Sequence, residues 1–272
     1  SDFISVLYKK AVYLGVKFQF GKEAIVSHTD RKSAVISFGE RNFLFDGAVA
    51  ADGVHSKTRN KFFQCTKPEF LNQVAYRATV SLSALKSSWT KPEVKIILGS
   101  GQHVVIYPLI SRSVLNIVLC SDEEVWNSDG WSNVCDPPEV LHRFKNFVSI
   151  KGILSKITLV HKWGLLGYEN NHNWHLESLA LLGDSCHPML PYLAQGANQA
   201  LEDAASLAYF LSQRPSLSIP ESFLKYSNQR RRRVTKVQKA AKRNAKLYHL
   251  SNGPKRFLTH SALTIASLTA PN

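Results

Sequence analysis

The sequence predicts an α/β (α+β) chain in which a ligand-binding layer of buried strands and helices is interrupted by an antiparallel sheet. Three observations carry this reading. Ala48 to Ala51 is small and apolar throughout, as in a strand buried on both faces, a second buried strand is expected at Leu176 to Leu182, and both lead into an aspartate and a glycine, Asp52-Gly53 and Gly183-Asp184. Between them, QVAYRATVSL, EVKIILG, HVVIYPLI and VLNIVLC follow one another from Gln73 to Cys120, separated by Pro, Gly and Ser turns, as in an antiparallel sheet. After Gln195, the segment GANQALEDAASLAYFLSQ carries helical periodicity.

In chain order, SDFISVLYKKAVYLGV has apolar residues at helical spacings and reads as an amphipathic helix. Strands are expected at Val16 to Phe20, Ala34 to Phe38 and Phe43 to Ala51, the later two separated by the turn sequence GERN. A loop with Trp126, Trp131 and Pro137-Pro138 leads to a helix near Glu139 to Val148. In the helix after Gln195, Ala197, Leu201, Ala204, Ala208 and Leu211 fall on one side, predicting that face as buried. Pro215 and Pro220 should close it before a basic helix begins.

Composition narrows the function classes. With 272 residues, 44% hydrophobic and 20% charged, the chain can bury a sizeable core, and at roughly 150 residues per domain it should form about two domains. No apolar run reaches the roughly 18 residues of a membrane span. The four cysteines, Cys65, Cys120, Cys135 and Cys186, form no CxxC pair, which fits free thiols in a reducing, cytoplasmic setting. The net charge is +14. Much of the excess lies between Arg230 and Lys246, around a helix whose Val234, Val237, Ala240, Ala241 and Leu247 supply a narrow apolar stripe, so a solvated helix is expected, with a field that steers an anionic cofactor or substrate as the alternative, and not a nucleic-acid partner.

Ligands of open α/β sheets sit beyond the carboxyl ends of strands. A carboxylate there accepts hydrogen bonds from sugar-type hydroxyls, and an adjacent glycine admits a ligand close to the backbone. Asp52 with Gly53, and Asp184 with Gly183, meet that description. The helix after Gln195 opens with Gly196, Ala197 and Asn198, small residues that leave its free N–H groups open to an acceptor. Gly183-Asp184-Ser185 also matches the opening of a class of esterases with Ser185 as nucleophile, but the tail supplies no Asp-x-x-His pair. Cys186, His187 and Cys135 lack zinc-ligand spacing, so no metal is expected.

Over about thirty residues, LALLGDSCHPMLPYLAQGANQALEDAASLA resembles the second flavin-contacting motif of the class A FAD-dependent aromatic hydroxylases, in their salicylate hydroxylase branch. AVAADGVHSKTR resembles the same family's Asp-Gly motif; VAYRA, QHVVIYP, HKWGL and the tail RRRRVTKVQKAAKRNAKLYHL match in order. The resemblance implies a p-hydroxybenzoate hydroxylase-like fold. A Rossmann-like FAD-binding domain over 1–64 and 166–272 would be interrupted by an antiparallel substrate domain over 65–165. It also implies an FAD-dependent monooxygenase that uses NADH or NADPH as a transient reductant and places one atom of O2 on a small phenolic ring.

By motif position, Asp184, with Gly183, would bind the ribitol chain, and Gly196, Ala197 and Asn198 would contact the isoalloxazine. Asp52 and Gly53 would lie near the phosphate and ribose. Arg77 and Tyr107 match positions that hold or activate the phenol. His103, four residues from Tyr107 and therefore on the same strand face, could relay the phenolic proton. The family's GxGxxG turn is not in the sequence, so the chain is expected to be part of a longer product or a shortened homologue with weakened FAD affinity. A non-catalytic binding protein derived from a hydroxylase is the alternative.

Overall fold

The computed structural model describes residues 2–63, 68–126, 133–167 and 173–269. Helix α1 (Asp2–Tyr13) precedes three antiparallel strands, β1 (Ala24–Thr29), β2 (Ala34–Phe38) and β3 (Arg41–Phe45). A short strand, β4 (Ala48–Ala50), and helix α2 (Lys57–Phe62) follow. Next comes β5 (Glu69–Ser81), then β6 (Lys95–Leu98), β7 (Gln102–Leu109), β8 (Val114–Asp122) and β9 (Asn133–Cys135). After helices α3 (Pro137–Arg143) and α4 (Lys151–Leu154), the chain forms β10 (Val160–Gly167), β11 (His175–Leu176) and β12 (Leu179–Leu181). It ends in helices α5 (Gly196–Leu211), α6 (Ile219–Tyr248) and α7 (Pro254–Thr269).

The antiparallel pattern of residues 73–120 becomes a six-stranded sheet of order β6-β7-β8-β5-β10-β9. Period-two alternation divides its side chains. One face carries Val74, Tyr76, Ala78, Val104, Ile106, Leu115, Ile117 and Leu119, packed under Phe144, Ile150 and Leu154 from the segment containing α3 and α4. The opposite face carries Ala75, Val118, Cys120, Trp163 and Leu165, covered by Leu190, Tyr192 and the α6 residues Ala241 and Ala245. Each fully buried aliphatic side chain contributes roughly 1.5–3 kcal/mol, so these two layers hold the sheet between helices and loop.

The strand expectation at Val16 to Phe20 is not met; the first strand lies at β1. Phe18 and Phe20 stack on each other and meet the Tyr8 ring of α1 at a tilt, so the apolar alternation packs against a helix and not a strand partner. The expected strand Phe43 to Ala51 is split. A side chain at Gly47 would meet Ile219 at 2.9 Å and the Ser178 carbonyl at 3.1 Å, and at this pinch the chain leaves one sheet for another. Leu176 to Leu182 is likewise a tight hairpin of β11 and β12, turning through Glu177 at φ +53°. The helix expected near Glu139 to Val148 begins and ends earlier, at Pro137–Arg143.

The predicted buried face of α5 is turned outward. Ala197, Leu201, Ala204 and Ala208 are exposed, while Gln199, Asp203 and Leu207 are buried. Alanines carry little apolar area, and the bonds of Gln199 and Asp203 to Arg230 fix the helix rotation instead. Pro220 does not close α5 but sits in the first turn of α6, where its missing N–H is not needed. Ser218 and Glu221 cap that turn reciprocally. Along α6 the lysines Lys236, Lys239 and Lys242 face solvent as expected, but Arg230 does not: it is buried. No helix among the described residues is long and apolar enough to cross a membrane.

Candidate functional site

The two aspartate–glycine turns meet because their strands are neighbours. Strand β12 pairs in parallel with β4, with Leu181 opposite Ala50, so both turns project from the same edge of one small sheet. Gly53 and Gly183 take φ values of +77° and +66°, a left-handed conformation that costs other residues roughly 1–2 kcal/mol. A Cβ on Gly183 would also lie 3.3 Å from Ala200 of α5. Gly183→Val should therefore lower the thermal midpoint by several degrees, whereas Gly196→Ala should leave it unchanged, because nothing lies within 4 Å of a Cβ at Gly196. A thermal melt of both variants checks this.

Buried polar groups lock the turns together. The Ser185 hydroxyl lies 2.8 Å from both the Ala50 and Leu182 carbonyls, and the Arg59 guanidinium donates to the Ser185 carbonyl at 3.1 Å and the Val54 carbonyl at 2.8 Å. Arg59 is wholly buried, so it is a brace between the two turns and not a ligand group on the surface. Asp52 accepts from the Thr58 N–H at 3.4 Å and is otherwise exposed. Asp184 is exposed and forms no hydrogen bond or ion pair among the described residues. Loss of water around its carboxyl pushes its pKa above the usual range, against an opposing pull from His187.

Behind Asp184 lies a second aspartate that sequence reasoning passed over. Asp203 Oδ2 accepts from His187 Nε2 at 2.5 Å and from the Gly183 N–H at 3.1 Å, and Oδ1 accepts from Arg230 Nε at 2.7 Å. Burial alone would raise its pKa, but the bonds from His187, Arg230 and Gly183 bring it below the usual carboxylate range. Arg230 reaches on to Gln199 Oε1 at 2.7 Å and to Glu202. The signal was available in the sequence: Gln199, Asp203 and Leu207 recur every four residues, and a carboxylate on the same helix face as Leu207 calls for a cation if that face is buried.

Cys186, His187 and Asp203 bring three ligand-type atoms within 4.8 Å of one another. Asp203 is already saturated by Arg230, His187 and Gly183, and burial holds the Cys186 thiol well above its ordinary pKa, so the group is a neutral-thiol structural network. Cys120, Cys135 and Cys186 are free and buried; Cys65 and Trp131 lie outside the described residues.

From Asp184 the chain runs through Leu190 and Tyr192 onto the second face of the six-stranded sheet, then turns through Ala194 into α5. That face holds the other predicted residues. Tyr107 lies opposite Asn116, and His103 opposite Cys120. Arg77 lies opposite Val118 on one side and His161 on the other. Arg77 is exposed, Tyr107 half-buried and His103 buried. The first two thus share one accessible surface with the loop that starts at Asp184. His103 does not reach into the open: its Nδ1 meets His249 Nε2 at 2.8 Å, and His249 Nδ1 meets Asp122 at 2.6 Å. Burial, helped by His249, pushes the His103 pKa down to about 3, so it is neutral at ordinary pH. The sequence reading missed His249 and Asn116. Their nearness depends on strand register and on where α6 ends.

A parallel strand pair presenting two acidic turns, joined by one loop to an antiparallel sheet with a polar face, defines a two-part α/β ligand-binding protein. Residues 1–241 match the FAD binding domain family, and the chain belongs to that family. It is 32% identical to the FAD-dependent monooxygenase OpS4 of Beauveria bassiana over 97% of this chain and 64% of that protein. To 3-amino-4-hydroxybenzoate 2-monooxygenase PtmB3 of Streptomyces platensis it is 30% identical, over 80% of this chain and 55% of that one. The chain thus spans less than two thirds of the length of these relatives. Among solved structures, a salicylate hydroxylase substrate complex superposes with a TM-score of 0.84 at 27% identity, covering 98% of this chain and 71% of that one.

Proposed function

We propose that the chain is the greater part of an FAD-dependent monooxygenase that hydroxylates a small phenolic or related aromatic substrate with NADH or NADPH and O2. The observation that carries this reading is the shared edge of β4 and β12, where Asp52-Gly53 and Gly183-Asp184 stand side by side at the start of the loop leading to Arg77 and Tyr107. The names of the relatives support it.

The residues present fit FAD. Asp184 offers an unengaged carboxylate to ribitol hydroxyls, and Gly53 and Gly196 have open space where a side chain would stand. Gly196, Ala197 and Asn198 present the free N–H groups of the first turn of α5 to an acceptor on the ring, and Asp52 serves the ribose and phosphate side. When bound, FAD supplies the redox and oxygen chemistry that no side chain can. The chain's own part is to orient and exclude. Arg77 offers a cation to a phenolate or carboxylate, Tyr107 offers a hydroxyl that can take or pass the phenolic proton, and the Leu190–Leu193 segment with Trp163 closes the apolar side. Boundaries near 64 and 165 remain our division of the chain into cofactor and substrate parts.

The test is NADH and NADPH oxidation by the full chain with added FAD and a panel of hydroxybenzoates. Aromatic-stimulated consumption is expected. Asp184→Ala should weaken FAD binding at least tenfold by fluorescence titration, and Arg77→Ala should raise KM for the acid. Tight aromatic binding without nucleotide consumption would instead establish a binding protein.

A further inference from the structure

We propose that Asn116 is a positioning residue that sets specificity on the sheet face: it holds Arg77 so that the two outer guanidinium nitrogens meet the carboxylate of an aromatic acid. The proposal rests on reading this face as the aromatic-substrate site.

Asn116 stands in the middle of the face, between Thr79 on β5 and Tyr107 on β7. It is fully buried, and its Oδ1 accepts from Arg77 Nε at 3.1 Å. That bond fixes the side chain by its inner nitrogen. Arg77 Nη1 and Nη2 have no hydrogen-bond partner among the described residues, and the side chain is exposed. A guanidinium held in this way presents a planar pair of donors that matches a carboxylate, a geometry a lysine cannot supply.

The second observation concerns the amide itself. With Oδ1 committed to a donor, Nδ2 faces the other way, and it is a buried donor without a partner. Leaving such a group unmet costs free energy. Its neighbours in the strand rows next to it include Val118 and Val105, so an aliphatic residue suits this part of the sheet. The polar residue therefore contributes little to folding, and its one visible effect is the placement of Arg77. The hydroxyl of Tyr107, directly across from it, makes no hydrogen bond among the described residues and so adds a third free polar group to the same patch.

The experiment measures calorimetric binding of salicylate and of salicylamide, its uncharged isostere, to the full chain with excess FAD. Wild type should prefer salicylate at least tenfold. Asn116→Leu should weaken salicylate at least tenfold and leave salicylamide within about twofold. Asn116→Asp, which keeps the acceptor and tests the idea if the leucine variant does not fold, should also abolish the preference, because its charge neutralises the guanidinium. In an Arg77→Leu background, Asn116→Leu should have no further effect on salicylate, since it acts through Arg77. Equal losses for both ligands, additive losses in the double variant, or no preference in wild type would overturn the proposal. Binding with this pattern but without turnover would sink the hydroxylase reading and leave the role of Asn116 standing.

Discussion

Asp203→Ala is expected to destabilise the chain by about 3–5 kcal/mol, the usual cost of removing one partner from a buried ion pair. The side chain is wholly buried, and its loss strips a counter-charge from Arg230, itself nearly buried, and the acceptor from His187 and the Gly183 N–H. The neighbouring Glu202 is a control. Its pKa is drawn down to about 2, chiefly by Arg233, but its side chain is 35% exposed, and Glu202→Ala should cost no more than about 1 kcal/mol. Urea denaturation of both variants reads the difference; similar costs would show that the buried network holds nothing. Replacing Asp203 and Arg230 together by leucine and methionine should recover much of the stability. FAD affinity should not recover, because the Gly183 N–H still lacks its anchor and the turn bearing Asp184 is loosened.

Acid should unfold the chain partly through His103. In the unfolded chain this histidine takes up a proton near pH 6.5; in the folded protein it resists protonation until about 3. The neutral side chain is therefore favoured by the fold above pH 6.5, and that contribution is lost as pH falls from 6.5 toward 3, by up to about 1.4 kcal/mol for each pH unit. His249 and Asp122 bond in line with it, and Cys120, Tyr192 and Tyr248 surround it. His103→Gln removes the titrating group. Between pH 6.5 and 4.5, stability measured by urea denaturation should fall more steeply in wild type than in this variant. Parallel slopes would refute the role assigned to His103. A steeper wild-type slope would also argue against His103 as a direct proton acceptor for a substrate, since a group so reluctant to charge acts at most through its chain to Asp122.

Legibility followed the range of the interaction. Alternation within β5, β7 and β8 is local, so the sheet and the common face of His103 and Tyr107 could be read from spacing alone. The strand expected at Val16 to Phe20 failed because alternation does not say whether the partner is a strand or a helix. The outward face of α5 failed for a related reason: a stripe of alanines has too little apolar area to compete with a buried ion pair whose other half lies 27 residues further on.

The sequence by itself determined the two aspartate–glycine turns, the small-residue start of α5, the polar residues of the sheet and the basic outer side of α6, because each is written in neighbouring residues and in backbone preference. Only the tertiary structure decided that β4 and β12 lie side by side, that Arg230 is buried on Asp203, that His249 meets His103, and that Asn116 holds Arg77. Those pairings join residues far apart in the chain. Their energies depend on burial and on distances of about 3 Å, which no local pattern encodes.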